Sequence, residues 1–209
     1  MSTHDVLDRL LQRHGTTYAD EAGITLHDKP SPLFELLVLT HLLSANLSAD
    51  LGIRAADAMR RTYRTAHAMA EASDHDRWEV LSDARYLRKE RTAELLGRMA
   101  QQVVETYDGD LRRLRDAADG DADRVAELVS ELAGIGAVGG DIFAREVQAV
   151  WPALRPRADQ RVLDTARDLG LPHTARGLAD LHGDDDLSLV GAALVRCALA
   201  DDADELRRG

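Results

Sequence analysis

The segment Leu132-Ala-Gly-Ile-Gly-Ala-Val-Gly-Gly140 constrains this chain more than any other. Two glycines flank one apolar residue, Ile135, between two stretches whose apolar residues recur at helical spacing. Glycine reaches positive φ and admits close backbone approach, so the two helices can be joined by a very tight turn. The second helix then begins with amides that lack a partner inside it and with the positive end of its dipole. Such a terminus suits an anion, a DNA phosphate included, without any cationic side chain. A glycine helix stop followed by a fresh helix is the plainer reading, and the segment alone leaves both open.

Helical spacing continues through nearly all of the chain. Val6, Leu7, Leu10 and Leu11 open a first helix that Gly15 ends, and a turn-rich stretch runs from Gly23 to Pro32. Pro32 is expected to open a strongly apolar helix through Asn46, buried on most sides. Another helix carries Ala55, Ala56, Met59 and Tyr63, with short ones around Met69 and Leu81. A long helix is expected from about Arg88 to Tyr107, stopped by Asp108-Gly109-Asp110. The loop from Asp119 to Asp123 supplies an N-cap for a helix from Val125 to Ala133. The helix after the hairpin reaches about Val150, and Pro152 and Pro156 break the chain before one starting near Asp159. The last two helices cover roughly Thr174 to Leu181 and Leu187 to Leu199. No internal repeat and no βαβ pattern is visible. The fold class is all-α.

The formal net charge is −11, whereas a basic domain is the usual electrostatic footprint of a DNA binder. Net charge does not fix local charge. Nearly every cation is arginine, the better bidentate phosphate ligand, with Lys29 and Lys89 the lysines. The amphipathic, acidic N-terminus is unlike a secretory signal, and the longest apolar stretch, Leu33 to Leu43, is too short to cross a bilayer. A cytoplasmic monomer with no membrane contact is expected. The single Cys197 excludes an intrachain disulfide and any site built from several thiolates.

Leu132-Ala-Gly-Ile-Gly resembles the L-P-G-[VI]-G hairpin of the helix-hairpin-helix DNA glycosylases, most closely the endonuclease III branch. Pro32-Leu-Phe-Glu-Leu-Leu with Leu42-Leu-Ser-Ala-Asn46 looks like that family's early helix. Leu87 to Leu96 is similar to its mid-domain loop and helix, and Asp159-Gln160-Arg161-Val162 stands where the family has its aspartate. These motifs occur in the family's order over most of the chain. The resemblance implies two helical lobes, one from residue 29 to 145 and the other from 1–28 with 146–209. The active cleft would lie between them, and double-stranded DNA would be the partner.

The resemblance also assigns roles, each with a structural alternative. The slot of the lysine that attacks the sugar in bifunctional members falls on Val138, which has no nucleophile, so lyase chemistry is unavailable there. Monofunctional relatives lack that lysine too. Asp159 matches the carboxylate that stabilises positive charge on the sugar and can orient a water; an aspartate after a proline-rich loop is equally a helix N-cap. Asn46 matches the polar residue that fills the gap left by a flipped base, or ends its helix. Leu87 matches a loop residue that wedges into the opposite strand, or packs in a core. Arg85, Arg88, Lys89 and Arg91 form a local basic cluster around Leu87, a solvated face by itself, and beside a proposed wedge a candidate phosphate contact. Gly134, Ile135, Gly136, Ala137 and Val138 are the expected hairpin contacts.

Cys197 matches the first ligand of the relatives' iron–sulfur cluster, but such a cluster needs a full ligand set. No cofactor and no metal is expected, and Cys197 reads as a buried apolar residue. His41 reads as a core or cleft histidine. The function implied is a monofunctional DNA N-glycosylase that flips and excises a damaged or mispaired base. The alternatives are a non-catalytic DNA-binding protein on the same fold and an unrelated helical interaction module.

Overall fold

Aspartate does much to punctuate this chain. In the computed structural model, which describes residues 2–45 and 47–208, side-chain oxygens of Asp110, Asp121 and Asp159 accept amide protons at helix N-termini, as do those of Ser2, Thr65, Ser73 and Thr174. Asp108, Asp119 and Asp201 take φ values between 52° and 55°, a left-handed conformation that Asp and Asn tolerate best after glycine. The excess of Asp over Glu therefore has a local structural use.

The helices are α1 (Thr3–His14), α2 (Tyr18–Glu21), α3 (Pro30–Ser44), α4 (Ala49–Thr62), α5 (Ala66–Glu71), α6 (Asp74–Asp83) and α7 (Lys89–Tyr107). They continue with α8 (Leu111–Ala117), α9 (Ala122–Ser130), α10 (Gly136–Val147), α11 (Gln160–Asp168), α12 (Ala175–His182), α13 (Ser188–Ala200) and α14 (Ala203–Arg208). A 3-10 turn at Pro152–Leu154 precedes α11. Every regular element among the described residues is helical. α3 starts at Pro30 instead of Pro32, because both prolines fit a first turn, where no amide donor is needed. α9 stops at Ser130, short of the expected Ala133, and α10 at Val147, short of Val150. The short helices α2, α8 and α14 carry too few turns for a periodic signal, and sequence reading missed them.

The chain divides into two units, Met1–Tyr18 with Arg145–Gly209, and Ala19–Ala144. The first break precedes the expected Lys29 boundary. Ala19, Ala22 and Ile24 are buried, and Gly23 lies against Arg60 of α4, which ties this stretch to the larger unit. In that unit α3 is the central helix. Every residue from Leu33 to Leu42 is buried, each leucine contributing roughly 2 kcal/mol. α4 packs on α3, while α5 and α6 pack on α7. In the smaller unit α13 takes the central place, buried from Val190 to Val195 and at Cys197, with α1 and α11 against it.

Candidate functional site

The hairpin is shaped by what lies under it. Ile135 is 5% exposed and anchors the turn from below, and its amide donates to Leu132 O at 3.2 Å. Gln102 of α7 accepts the Ala133 amide at 2.7 Å. Gly134 has φ +81° and Gly136 φ +66°, so both need glycine. A Cβ at Gly134 would collide with Nε2 of His41 on α3, whereas one at Gly136 would meet nothing within 4 Å. A Cβ at Gly140 would collide with the Ala126 carbonyl oxygen, which marks how closely α10 approaches α9. The result presents Gly134, Gly136, Ala137 and Val138 to solvent while Leu132 and Ile135 are buried.

No arginine or lysine occurs between Arg124 and Arg145. Attraction for an anion here must come from the first amides of α10 and from its dipole. His41 adds no charge at neutral pH. It is buried, both ring nitrogens lack a hydrogen-bond partner among the described residues, and burial pushes its pKa down to about 4.

A second exposed feature belongs to the same unit. Arg85 takes φ +59° and turns the chain so that Tyr86 points inward and donates its hydroxyl to Leu42 O at 3.3 Å. Leu87 then stands out, 68% exposed, which excludes the core-packing alternative for it. Arg85 and Arg88 are exposed; their backbones are bonded, Arg85 N to Ser82 O at 2.9 Å and Thr92 N to Arg88 O at 3.0 Å, and their guanidinium groups make no hydrogen bond or ion pair among the described residues. Lys89 donates to Ser82 Oγ at 3.1 Å and lies 4.9 Å from the Trp78 ring, and Arg91 pairs with Glu94. Behind this loop the buried Arg77 donates to Met69 O, Ala72 O and Ala93 O and pairs with Asp74, which ties α5, α6 and α7 together. The loop is held at both ends, and its apolar tip is left bare. Asn46 lies outside the described residues.

Asp159 belongs to the smaller unit. It caps α11, its Oδ1 accepting from Val162 N at 3.2 Å, as expected of a cap. It is also buried, 7% exposed, and its Oδ2 lies 2.5 Å from Nη1 of Arg145. Sequence reading missed Arg145. The available signal was a charged residue in a stretch, Ile142 to Trp151, whose neighbours Phe143, Ala144 and Val147 are all buried. Nearby, Gln148 donates to Arg145 O at 2.9 Å and to Arg157 O at 3.0 Å, and accepts from Arg157 N at 3.1 Å. Arg155 donates to Gln148 O at 2.7 Å, so the segment leading to Asp159 is fixed to the end of α10.

Cys197 does not fit a thiolate-held cluster. It is fully buried, and burial together with the neighbouring Asp202 carboxylate pushes its thiol up to about 12. Asp202 is taken up by His14 Nε2 at 2.9 Å and Arg13 Nε at 3.0 Å, and so pins the start of α14 to α1. Among the described residues no group of three or more His, Cys, Asp or Glu side chains is arranged to hold a metal, and no helix is long and apolar enough to cross a membrane.

No family model matches the chain, and no curated protein matches it by sequence. Solved structures do match. A trapped endonuclease III–DNA covalent intermediate with an estranged adenine aligns at a TM-score of 0.54 and 14% identity, over 94% of this chain and 86% of that one. A non-covalent endonuclease III–DNA complex aligns with the same values. The protein therefore has an all-helical fold similar to that of endonuclease III.

Proposed function

We propose that this protein binds double-stranded DNA and acts as a monofunctional N-glycosylase on a damaged or mispaired base. The observation that carries the reading is the Gly134–Ile135–Gly136 hairpin, solvent-facing on its glycine side and opening the twelve-residue helix α10. It sits in a fold like that of a protein solved on DNA. The hairpin amides would take a backbone phosphate, and Leu87 on its pinned loop would occupy space opened in the duplex when a base is flipped. Asp159 would stabilise the positive charge that grows on the deoxyribose as the C1′–N bond breaks, its electrons leaving with the base. A water then adds to C1′ and gives up a proton, and the departing base gains one. Val138 supplies no amine to replace that water, so the product is an intact abasic strand.

The Arg145–Asp159 pair favours a second reading. A guanidinium 2.5 Å from the carboxylate offsets part of the charge that the sugar would feel. On that reading the fold binds DNA and carries no excision. Incubation with a panel of single-lesion duplexes, with abasic sites revealed by hot alkali, separates the two. Binding without abasic sites across the panel would establish the non-catalytic reading.

A further inference from the structure

We propose that Arg145 is the positioning residue for Asp159, the cation that lets this carboxylate remain buried, charged and fixed in one orientation. The assignment rests on Asp159 being the carboxylate that serves excision.

The two side chains are each 4% exposed, too little for water to solvate either charge. An isolated buried carboxylate is strongly disfavoured and takes up a proton instead. A neutral acid cannot stabilise an oxocarbenium ion. Arg145 removes that difficulty by direct contact, and the Val162 amide on the other oxygen fixes the plane of the carboxylate. Each oxygen thereby accepts one hydrogen bond, Oδ2 from Arg145 and Oδ1 from Val162. Arg145 is the charged side chain in contact with Asp159. From α13 Gly191 lies against the Arg145 stem, and from α11 the Val162 amide meets Asp159, and neither residue titrates.

Gly191 explains how the arginine reaches this place. It closes the first turn of α13, among buried residues on both sides. A Cβ there would stand 2.8 Å from Arg145 Cδ and 3.1 Å from Cγ. The stem of Arg145 runs over the space that the missing side chain leaves. Gln148 holds the backbone carbonyl of the same arginine, so Arg145 is fixed at both ends.

The test uses Arg145→Met and Arg145→Lys. Excision is followed from pH 5 to 8, and the Asp159 carboxyl carbon is titrated by NMR in ¹³C-labelled protein, a readout that needs no activity. The expected result for Arg145→Met is an acid limb moved to higher pH by about one unit or more, in excision and in the carbon signal alike. Arg145→Lys should return both towards wild type. A uniform loss of excision with an unmoved carbon titration would overturn the assignment and leave Arg145 a packing residue. If wild type excises nothing, the glycosylase reading fails, while an unmoved or shifted carbon signal still decides whether Arg145 holds the carboxylate. Should Arg145→Met not fold, Gly191→Ala displaces the arginine stem with both charges present. The same shift, smaller in size, is expected from it, and none would count against the proposal.

Discussion

The ring of His41 occupies the space into which any side chain at Gly134 would project. Gly134 also has φ +81°, a conformation that alanine resists. His41 is only 3% exposed and cannot swing out. Gly134→Ala should therefore lose about 2 kcal/mol or more in urea unfolding. Gly136→Ala faces open space and should lose only the strain, about 1 kcal/mol. Equal losses would show that His41 yields easily. Gly136→Asp puts a carboxylate where a phosphate would sit, so it should weaken DNA binding on all sequences alike, and wild-type affinity should fall only shallowly with salt.

The same histidine links stability to pH. Its pKa is about 4 when folded and 6.5 when free, so the unfolded chain binds more protons between those values. Stability from this group is complete above pH 6.5 and is lost as pH falls towards 4. The total is about 3 kcal/mol, of which about 2 should be gone by pH 5. Carboxylates with lowered pKa values, such as Asp57 and Asp110, act below that window. Urea unfolding at pH 7 and pH 5 should differ for wild type and not for His41→Leu. A variant that retains the full difference would place the acid sensitivity elsewhere.

Leu87 offers the opposite contrast, a large apolar side chain that the folded core does not use. With two thirds of its surface exposed, Leu87→Ala should change the unfolding free energy by less than about 0.5 kcal/mol. Leu42→Ala, from the fully buried face of α3, should cost about 2–5 kcal/mol. If Leu87 enters the duplex, its alanine variant should lose affinity for lesion-containing DNA while melting like wild type. Unchanged binding would reduce the residue to an incidental surface leucine.

How much of this was legible follows from the kind of signal each feature leaves. Helical periodicity and capping residues are local, so α1, α3, α7 and α13 could be traced closely, as could the cap Asp159 and, to within the loop Asp119 to Asp123, the cap of α9. The hairpin glycines were legible because positive φ leaves a compositional mark. Three relations were not. Arg145 meets Asp159 across fourteen positions, His41 lies under Gly134, and Tyr86 is pinned to Leu42, all contacts that folding makes between distant residues. The units' first boundary was misplaced for the same reason, since the contact of Gly23 with Arg60 leaves no pattern in sequence.

Cys197 should behave as a core residue. A thiol with a pKa of about 12 and no exposed surface has almost no thiolate at neutral pH. A thiol reagent should leave it unmodified in the native protein and react once per chain in denaturant. Purified protein should carry no stoichiometric iron and no absorbance near ~400 nm, the region of thiolate-held clusters. Native labelling at the rate of a free thiol would contradict the burial described.

Val138 is the position at which chemistry could be added. It is 61% exposed in the first turn of α10, so a longer side chain there meets solvent and costs little stability. An amine in that turn would sit near the positive end of the helix dipole, which favours its neutral, nucleophilic form. If the protein excises by water attack, wild type should leave intact abasic strands and form no adduct with borohydride. Val138→Lys should then yield a trapped protein–DNA species, weak because nothing else is arranged around the amine. Asp159→Asn in the same background should reduce that species by ~100-fold or more if the carboxylate stabilises the charge on the sugar. That comparison must be made at matched folded fractions, since removing one partner of a buried pair costs about 3–5 kcal/mol. A borohydride adduct with wild type would reveal another amine as nucleophile. An Asp159→Asn variant excising at the wild-type rate would leave that carboxylate as a helix cap alone.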